Sequence, residues 1–331
     1  MAFEERIDPE LREGLALYRS LGFTATDLSG ETLLTMRTTA AALFAEATAD
    51  IPPNEGVVRE DRVVPGPDGD VPVRVHRPAG ASGTLPGLLW IHGGGMIFGS
   101  IDQDDLTCDA YADQVGCVVV DVEYRLAPEH PHPAPVEDCY AALVWMAENA
   151  AQLGIDPARI AVGGASAGGG LAAGTVLKAH DEGTPAVAFQ LLVYPMLDDR
   201  DATASTHEFG GILSWAREHN VSGWKALLGT RHGTDDVDHY AAPARAEDLA
   251  GLPPALIQVG ELEVFRDENI EYATRLLRAG VATELHVYPG GYHAWDMAVP
   301  DAELSVRMVQ ERMHALRRAL HPRAASEVQP A

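Results

Sequence analysis

One serine in this chain stands in a pattern that can turn a weak nucleophile into a reactive one. Ser166 lies between Gly164 and Gly168, at G-x-S-x-G spacing. An apolar, strand-like run at 159–162 precedes it, and a helical pattern at 171–179 follows. A tight turn between a strand and a helix holds such a hydroxyl out towards solvent, and small flanking residues leave room for the strained backbone. The sequence therefore predicts that Ser166 is a nucleophile on a sharp turn.

A second motif, His92-Gly93-Gly94-Gly95, could stabilise the charge that such a nucleophile creates. Attack on a carbonyl carbon produces an oxyanion, which needs preorganised N–H donors. Glycines allow the main chain to approach a substrate without obstruction by side chains. We predict an oxyanion hole formed by the N–H groups of Gly94, Gly95 and Ala167, with His92 and Gly93 supporting the loop. The alternative, a flexible glycine turn and a serine that only caps a helix, requires both motifs to coincide by chance.

A serine hydroxyl also needs a base to take its proton. In the strand–turn–helix architecture, an acid and then a histidine follow the serine along the chain. His293 comes after a strand-like run at 283–288 and a short loop with proline and glycine. His286 lies inside that run, where packing or solvent exposure is the simpler explanation. We therefore predict His293 as the general base.

The acid that orients this base should follow the preceding buried strand, at 255–259. We favour Glu263, which would accept a hydrogen bond from His293 Nδ1 and stabilise the imidazolium. Other acids fit less well and stay open as alternatives: Glu261 and Asp267 near the same loop, and Asp198 and Asp199 on an earlier one.

The elements that must position these side chains alternate along the chain. Strand-like segments lie at 57–64, 71–77, 87–91, 117–124, 159–163, 188–194, 255–259 and 283–288. Helical patterns separate most of them. This alternation predicts an α/β fold in which helices cover both faces of a mostly parallel sheet.

Two segments interrupt the alternation. Residues 1–50 contain two helix-like stretches, and the family resemblance given below implies that they form an N-terminal cap segment. Residues 200–240 are predicted to form a second cap segment. The core would then comprise residues 51–199 and 241–320, and the low-complexity tail at 321–331 is predicted to be disordered.

Apolar side chains near the oxyanion motif and in the second cap segment could wall a substrate pocket and exclude water. The candidates are Met96, Ile97, Phe98, Phe209, Leu213 and Trp215. An ordinary packed insertion at 200–240 is the alternative.

Together these motifs resemble the hormone-sensitive-lipase-like esterases (bacterial family IV) of the α/β-hydrolase fold. The matching strings are HGGG at 92–95, YRLAPEHP at 124–131, ASAGG at 165–169, VYP at 193–195, LPPA at 252–255 and RDE at 266–268. The resemblance implies an eight-stranded sheet with a helical cap. It also implies a serine carboxylesterase that hydrolyses short- to medium-chain acyl esters through an acyl-enzyme, without a cofactor. The family's serine, acid and histidine fall on Ser166, Glu263 and His293.

Two positions depart from the family pattern. Ala165 precedes the serine where the family usually has aspartate, and Glu263 stands where the family's acid is usually aspartate. Glutamate can do the same work with one more methylene, so we expect an altered loop with activity retained. An amidase, lactonase or deacetylase with the same residues is the alternative within catalysis, and a ligand-binding homologue without activity is the alternative outside it.

Composition limits the partners. The 331 residues include 49 acidic and 24 basic side chains, which give a formal charge of −25. Binding to phosphates requires clustered basic residues, so we predict neither nucleic acid nor an anionic membrane as a partner, only a small-molecule ester substrate. No apolar run reaches the ~18 residues of a membrane span and no secretory signal is visible, so a cytoplasmic location is predicted.

No metal site is predicted. The three cysteines, Cys108, Cys117 and Cys139, lack metal-ligand spacing. A Glu-His-Pro-His string at 129–132 could suggest ligands, but its prolines favour a rigid extended loop. A homodimer through 283–288 and 301–320 is implied by the family resemblance.

Overall fold

The computed structural model describes residues 3–212 and 214–322, and an eight-stranded sheet lies at its centre. The strands are β1 (Val57–Gly66), β2 (Gly69–Pro78), β3 (Leu85–Ile91), β4 (Val118–Val122), β5 (Ile155–Ala165), β6 (Phe189–Val193), β7 (Ala255–Gly260) and β8 (Thr283–Tyr288). Their order across the sheet is β1-β2-β4-β3-β5-β6-β7-β8. β2 pairs antiparallel with β1 and β4, and all other neighbours are parallel. The predicted mostly parallel sheet is therefore confirmed.

Helices connect and cover these strands. They are α1 (Phe3–Arg6), α2 (Leu15–Ser20), α3 (Gly30–Thr48), α4 (Asp105–Ala110), α5 (Ala134–Glu148), α6 (Ala150–Leu153), α7 (Ala167–Asp181), α8 (Ala204–Glu208), α9 (Arg217–Leu228), α10 (Arg266–Arg278), α11 (Trp295–Ala298) and α12 (Glu303–Leu320). Short 3-10 turns lie at Pro9–Gly14, Ile101–Asp104, Gly229–Arg231 and Pro243–Arg245, and a π turn lies at Tyr111–Gly116. Within the described ranges, no helix is both long and apolar enough to span a bilayer.

The central strands are apolar because both faces of the sheet are covered. β4, β6 and β7 are buried along their whole lengths, as their runs of valine, leucine and isoleucine predict. The favoured active-site candidates follow the carboxyl ends of β3, β5, β7 and β8, and the alternative acids Asp198 and Asp199 follow β6. Parallel strands bring these ends to one edge of the sheet, where α/β proteins bind their ligands.

Helix α7 begins four residues earlier than the sequence pattern predicts, at Ala167. Residues 168–170 are glycines, and because glycine is a poor helix former the sequence predicts a helix that begins only after them. In the folded protein these glycines permit close packing: a Cβ at Gly170 would lie 2.1 Å from the Met196 carbonyl oxygen, and one at Gly174 would lie 2.3 Å from that of Tyr240. Tertiary contact therefore overrides local preference here.

The two predicted cap segments contact each other. His219 Nε2, on α9, lies 2.8 Å from the Ala25 carbonyl oxygen, and Leu28 N–H donates to Ser222 Oγ at 3.3 Å. Arg6 also pairs with Glu208 at 2.6 Å. The division of the chain into caps and core stays a prediction. The predicted disordered tail lies, from residue 323 onward, outside the described residues.

Candidate active site

The turn between β5 and α7 holds Ser166 in a conformation that few residues adopt. Its φ is 57° and its ψ is −120°, while its N–H donates to the Val193 carbonyl at 2.9 Å. A Cβ at Gly164 would lie 2.3 Å from the Gly168 carbonyl oxygen, and one at Gly168 would lie 2.0 Å from that of Ile91. Both glycines are therefore required by the backbone packing of the turn, as the G-x-S-x-G spacing predicts.

The side chains of Ser166, His293 and Glu263 form one hydrogen-bonded chain. His293 Nε2 lies 2.9 Å from Ser166 Oγ, and His293 Nδ1 lies 2.6 Å from Glu263 Oε2. The other carboxylate oxygen, Oε1, accepts the N–H of Gly260 at 3.1 Å. Burial raises the pKa of Glu263, while the charge of His293 and its hydrogen bond act in the opposite direction. A carboxylate on Nδ1 keeps the proton there, so the Nε2 lone pair faces the serine hydroxyl.

The structure places the alternative acids elsewhere. Glu261 pairs with Arg6 and accepts the N–H of Gly290, Asp267 binds Arg266 and Ser205, Asp198 binds Arg200, and Asp199 binds Arg245. His286 lies between Glu284 and Glu311. Of the five acids considered, only Glu263 is hydrogen-bonded to His293.

Aromatic side chains that sequence reasoning missed hold His293 in place. The Tyr18 hydroxyl donates a hydrogen bond to the His293 carbonyl oxygen. The rings of Tyr194 and Phe265 pack edge-on against the imidazole, with centroids 4.8 and 5.1 Å away. Tyr194 was visible in the VYP string, but nothing in the sequence indicates that Tyr18, in the N-terminal segment, reaches a residue far along the chain.

The glycine loop after β3 lies against the serine turn. A Cβ at Gly93 would lie 3.1 Å from the Ala165 carbonyl oxygen. Gly94 and Gly95 have φ values of 117° and 61°, which favour glycine, and the Gly94 carbonyl closes the loop by accepting the N–H of Phe98 at 3.0 Å. Ala167 is the first residue of α7, so its N–H has no acceptor within the helix.

His92 stabilises this loop as a neutral side chain. Its Nδ1 lies 2.8 Å from the Gly93 carbonyl oxygen, its ring stacks on Tyr124 at 4.2 Å, and the Tyr124 hydroxyl donates to the His92 carbonyl at 3.0 Å. Burial lowers the pKa of His92 to about 4. A neutral imidazole that donates from Nδ1 orders the loop and carries no charge into it.

An arginine from the N-terminal segment also anchors the loop. Arg37, on α3, donates to the carbonyl oxygens of Ile97 at 2.6 Å and Ala127 at 2.8 Å, and it pairs with Glu129 at 2.7 Å. This pairing lowers the pKa of Glu129 to about 2. No sequence signal distinguished Arg37 from a surface arginine, because its partners come from other loops.

Trp215 is the predicted wall residue with the closest relation to this site. A Cβ at Gly95 would lie 2.3 Å from its indole ring, whose centroid is 6.4 Å from that of His293. Phe98 packs near it at 6.3 Å, and Phe23, which the sequence did not single out, contacts both rings at 5.9–6.1 Å. An aromatic surface drawn from three segments therefore borders the glycine loop.

The other predicted wall residues differ in their surroundings. Met96 and Ile97, within the loop itself, are fully buried. The guanidinium groups of Arg6 and Arg266 lie 5.7 and 5.4 Å from the centre of the Phe209 ring, so the place of Phe209 in a pocket stays a prediction. Leu213 lies outside the described residues.

This geometry is that of a serine hydrolase built on an α/β sheet. It combines a strained serine, a buried histidine and carboxylate in line with the serine, and a glycine loop beside it. A family model described as alpha/beta hydrolase fold matches residues 88–297. The chain belongs to this family.

Relatives extend this assignment to activity. The chain is 40% identical to the carboxylesterase NlhH of Mycobacterium tuberculosis, over 79% of this chain and 83% of the relative. It is 33% identical to an arylesterase of Saccharolobus solfataricus, over 87% and 92%. Among solved structures, a bacterial heroin esterase superposes with a TM-score of 0.89 at 44% identity, covering 96% of this chain and 99% of that one. The protein is a carboxylic ester hydrolase, and the resemblance to hormone-sensitive-lipase-like esterases is confirmed.

Proposed function

We propose that Ser166, His293 and Glu263 carry out ester hydrolysis through an acyl-enzyme. His293 Nε2 takes the proton of Ser166 Oγ as the oxygen attacks the ester carbonyl carbon. His293 then gives this proton to the leaving alcohol, and an acyl-serine remains. Water repeats the sequence, releasing the acid and returning the proton to the serine. The observation that carries the proposal is the continuous hydrogen-bonded chain from Glu263 to the serine hydroxyl.

In this mechanism the N–H groups of Gly94, Gly95 and Ala167 donate hydrogen bonds to the oxyanion. The support is the position of the glycine loop against the serine turn, with the unpaired first N–H of α7 beside it. Preorganised donors at such a site cost no reorganisation when charge develops, and the loss of one costs about 10²–10³ in kcat. Arg37 and His92 keep the loop in this shape and act as positioning residues.

The substrates proposed are small-molecule esters with short to medium acyl chains. The packing of Trp215, Phe98 and Phe23 over the glycine loop supports this, because three aromatic rings leave limited space beside Gly95. They also exclude water, which strengthens the electrostatic effect of the donors. Neither nucleic acid nor an anionic membrane is proposed as a partner, since the formal charge is −25.

Hydrolysis of p-nitrophenyl esters from acetate to palmitate tests the proposal, with Ser166→Ala measured in parallel. We expect turnover that is highest on short or medium chains and is abolished by the substitution. The matching p-nitroanilides distinguish an esterase from an amidase. Turnover that survives in Ser166→Ala, or that rises steadily towards palmitate, would contradict the nucleophile or the acyl-chain assignment, respectively.

The oligomeric state and the cellular location also stay proposals. A homodimer would form through residues 283–288 and 301–320, which correspond to β8, the last strand of the sheet, and to the segment that contains α12. Light scattering coupled to gel filtration measures its mass directly, and a monomer at micromolar concentration would contradict it. The cytoplasmic location also stays a prediction.

A further inference from the structure

A cluster outside the proposed active site brings together three side chains with the chemistry of metal ligands. His76 on β2, Cys108 on α4 and Asp121 on β4 each offer one ligand atom, and these atoms all lie within 4.8 Å of one another. All three side chains are fully buried. None of them is hydrogen-bonded to the serine, histidine or glutamate described above, so the hydrolytic mechanism does not use them.

Several polar atoms of this cluster have no partner. Among the described residues, neither carboxylate oxygen of Asp121 takes part in a hydrogen bond of ordinary geometry, and neither does Nε2 of His76. Buried polar groups in folded proteins are nearly always paired, because an unpaired one keeps the full cost of losing its water. Two buried groups without such a hydrogen bond, next to the Cys108 thiol, indicate a missing partner common to the three side chains.

The surroundings of His76 are those of a metal-binding histidine. Its Nδ1 lies 2.8 Å from Asp109 Oδ1, and Arg59 binds the same carboxylate at 2.6 Å. A carboxylate on one ring nitrogen fixes the proton there and leaves a lone pair on the other nitrogen, here Nε2, free to bind a metal. Metal-bound histidines commonly have such a carboxylate behind them.

We propose that His76 Nε2, Cys108 Sγ and Asp121 bind a structural Zn²⁺. Histidine, thiolate and carboxylate are all zinc ligands, at bond lengths of about 2.0–2.3 Å. Tetrahedral bonds of that length separate ligand atoms by roughly 3.3–3.8 Å, so shifts on the order of 1 Å close the site. The fourth position belongs to water, because Asp105 Oδ1, 3.9 Å from His76 Nε2, already accepts a hydrogen bond from Arg74 at 3.0 Å.

Charge favours a divalent ion at this place. Binding releases one proton from the Cys108 thiol and one from the Asp121 carboxyl group to solvent. The resulting thiolate and carboxylate balance the two positive charges of Zn²⁺, and the histidine is neutral. A buried site with no net charge avoids the large cost of placing an unpaired charge in a low-dielectric interior.

The ion would stabilise the segment that follows the oxyanion loop. That loop runs into the turn Ile101–Asp104 and then into α4, which carries Cys108. Zinc would join α4 to β2 and β4 and act on stability, not on a step of hydrolysis. Ligand spacing could not reveal the site, because the three residues lie on separate elements that only the fold brings together.

Metal content and Co²⁺ spectroscopy test this proposal on the full-length, tag-free chain. We expect the purified protein to contain about one Zn²⁺ per chain by mass spectrometry, and to unfold at a lower temperature after treatment with a chelator. Co²⁺ added to the metal-free protein should produce a thiolate-to-metal charge-transfer band. Cys108→Ser should remove this band, and Asp109→Asn should weaken metal binding about 10–100-fold.

Matched controls separate the site from general binding to an acidic surface. Cys117→Ser and Cys139→Ser also replace buried, unpaired cysteines and should leave the band and the affinity unchanged. A folded wild-type chain that retains no zinc and gives no band with Co²⁺ would overturn the proposal. A charge-transfer band of equal intensity in Cys108→Ser would also overturn the proposal. If a variant fails to fold, the zinc content and the Co²⁺ band of the wild-type protein still test the proposal.

Discussion

Replacing Glu263 with glutamine changes the proposed triad with almost no change in shape. Glu263 Oε1 accepts the N–H of Gly260, so the variant's amide oxygen should take that position and its NH₂ group should face His293 Nδ1. Nδ1 must then accept a hydrogen bond, which places the ring proton on Nε2. That nitrogen faces Ser166 Oγ at 2.9 Å and can no longer take its proton.

The expected loss follows from this wrong tautomer. An acid-to-amide change that leaves the geometry of a Ser-His-Asp triad intact lowers kcat about 10⁴-fold. At 1.36 kcal/mol per factor of ten, that is about 5 kcal/mol of transition-state stabilisation. Glu263 is fully buried, so solvent cannot replace the carboxylate. We therefore expect Glu263→Gln to lower kcat about 10³–10⁴-fold on p-nitrophenyl acetate, with little change in KM.

Glu261→Gln is the matched control. Glu261 is two residues away, partly exposed and paired with Arg6 at 3.3 Å. Exposed ion pairs contribute little, so we expect kcat within about threefold of wild type. Steady-state kinetics of both variants, with circular dichroism to verify folding, tests whether Glu263 is the acid of the triad. A loss below tenfold in Glu263→Gln, or a larger loss in Glu261→Gln, would refute the assignment of the acid.

Three further predictions concern strain, pH and the pocket. Because Ser166 has a φ of 57°, Ser166→Gly should be about 1 kcal/mol more stable than Ser166→Ala in urea unfolding, and the opposite order would contradict the strained turn. Burial lowers the pKa of His92 to about 4 in the folded protein, below the value of about 6.5 in the unfolded chain. As the pH decreases from about 6.5 to 4, His92 binds a proton in the unfolded chain before it does so in the folded protein, so the free energy of unfolding falls. This loss, about 3 kcal/mol, should be absent in His92→Gln when both proteins are unfolded in urea across that range. Trp215→Ala should raise kcat/KM on octanoate relative to acetate at least about tenfold, and an unchanged ratio would remove Trp215 from the pocket wall.

Local signals explain why much of the site could be predicted. The serine turn requires glycines at fixed offsets, and the oxyanion loop requires them next to each other, so both motifs are contiguous in the sequence. The order of serine, acid and histidine along the chain then favoured His293 as the base and the loop after β7 as the place of the acid. Strand bounds agreed to within a few residues because β3 to β7 are apolar segments between clear turns.

Contacts between distant segments explain what the sequence did not reveal. Arg37 and Phe23 lie in the N-terminal region, and they reach the loop after β3 only once this region is folded against it. The early start of α7 depends on carbonyl groups from other elements approaching its glycines. The cluster of His76, Cys108 and Asp121 likewise requires β2, α4 and β4 to be assembled.

Labelling with a fluorophosphonate tests the central claim, the nucleophilic role of Ser166, most directly. We expect one covalent adduct per chain by intact mass, its location on Ser166 by peptide mapping, and loss of ester hydrolysis in proportion to labelling. Ser166→Ala, verified as folded, should not be labelled. A folded wild-type protein that remains unlabelled while hydrolysing esters, or an adduct on another serine, would contradict the nucleophilic role of Ser166.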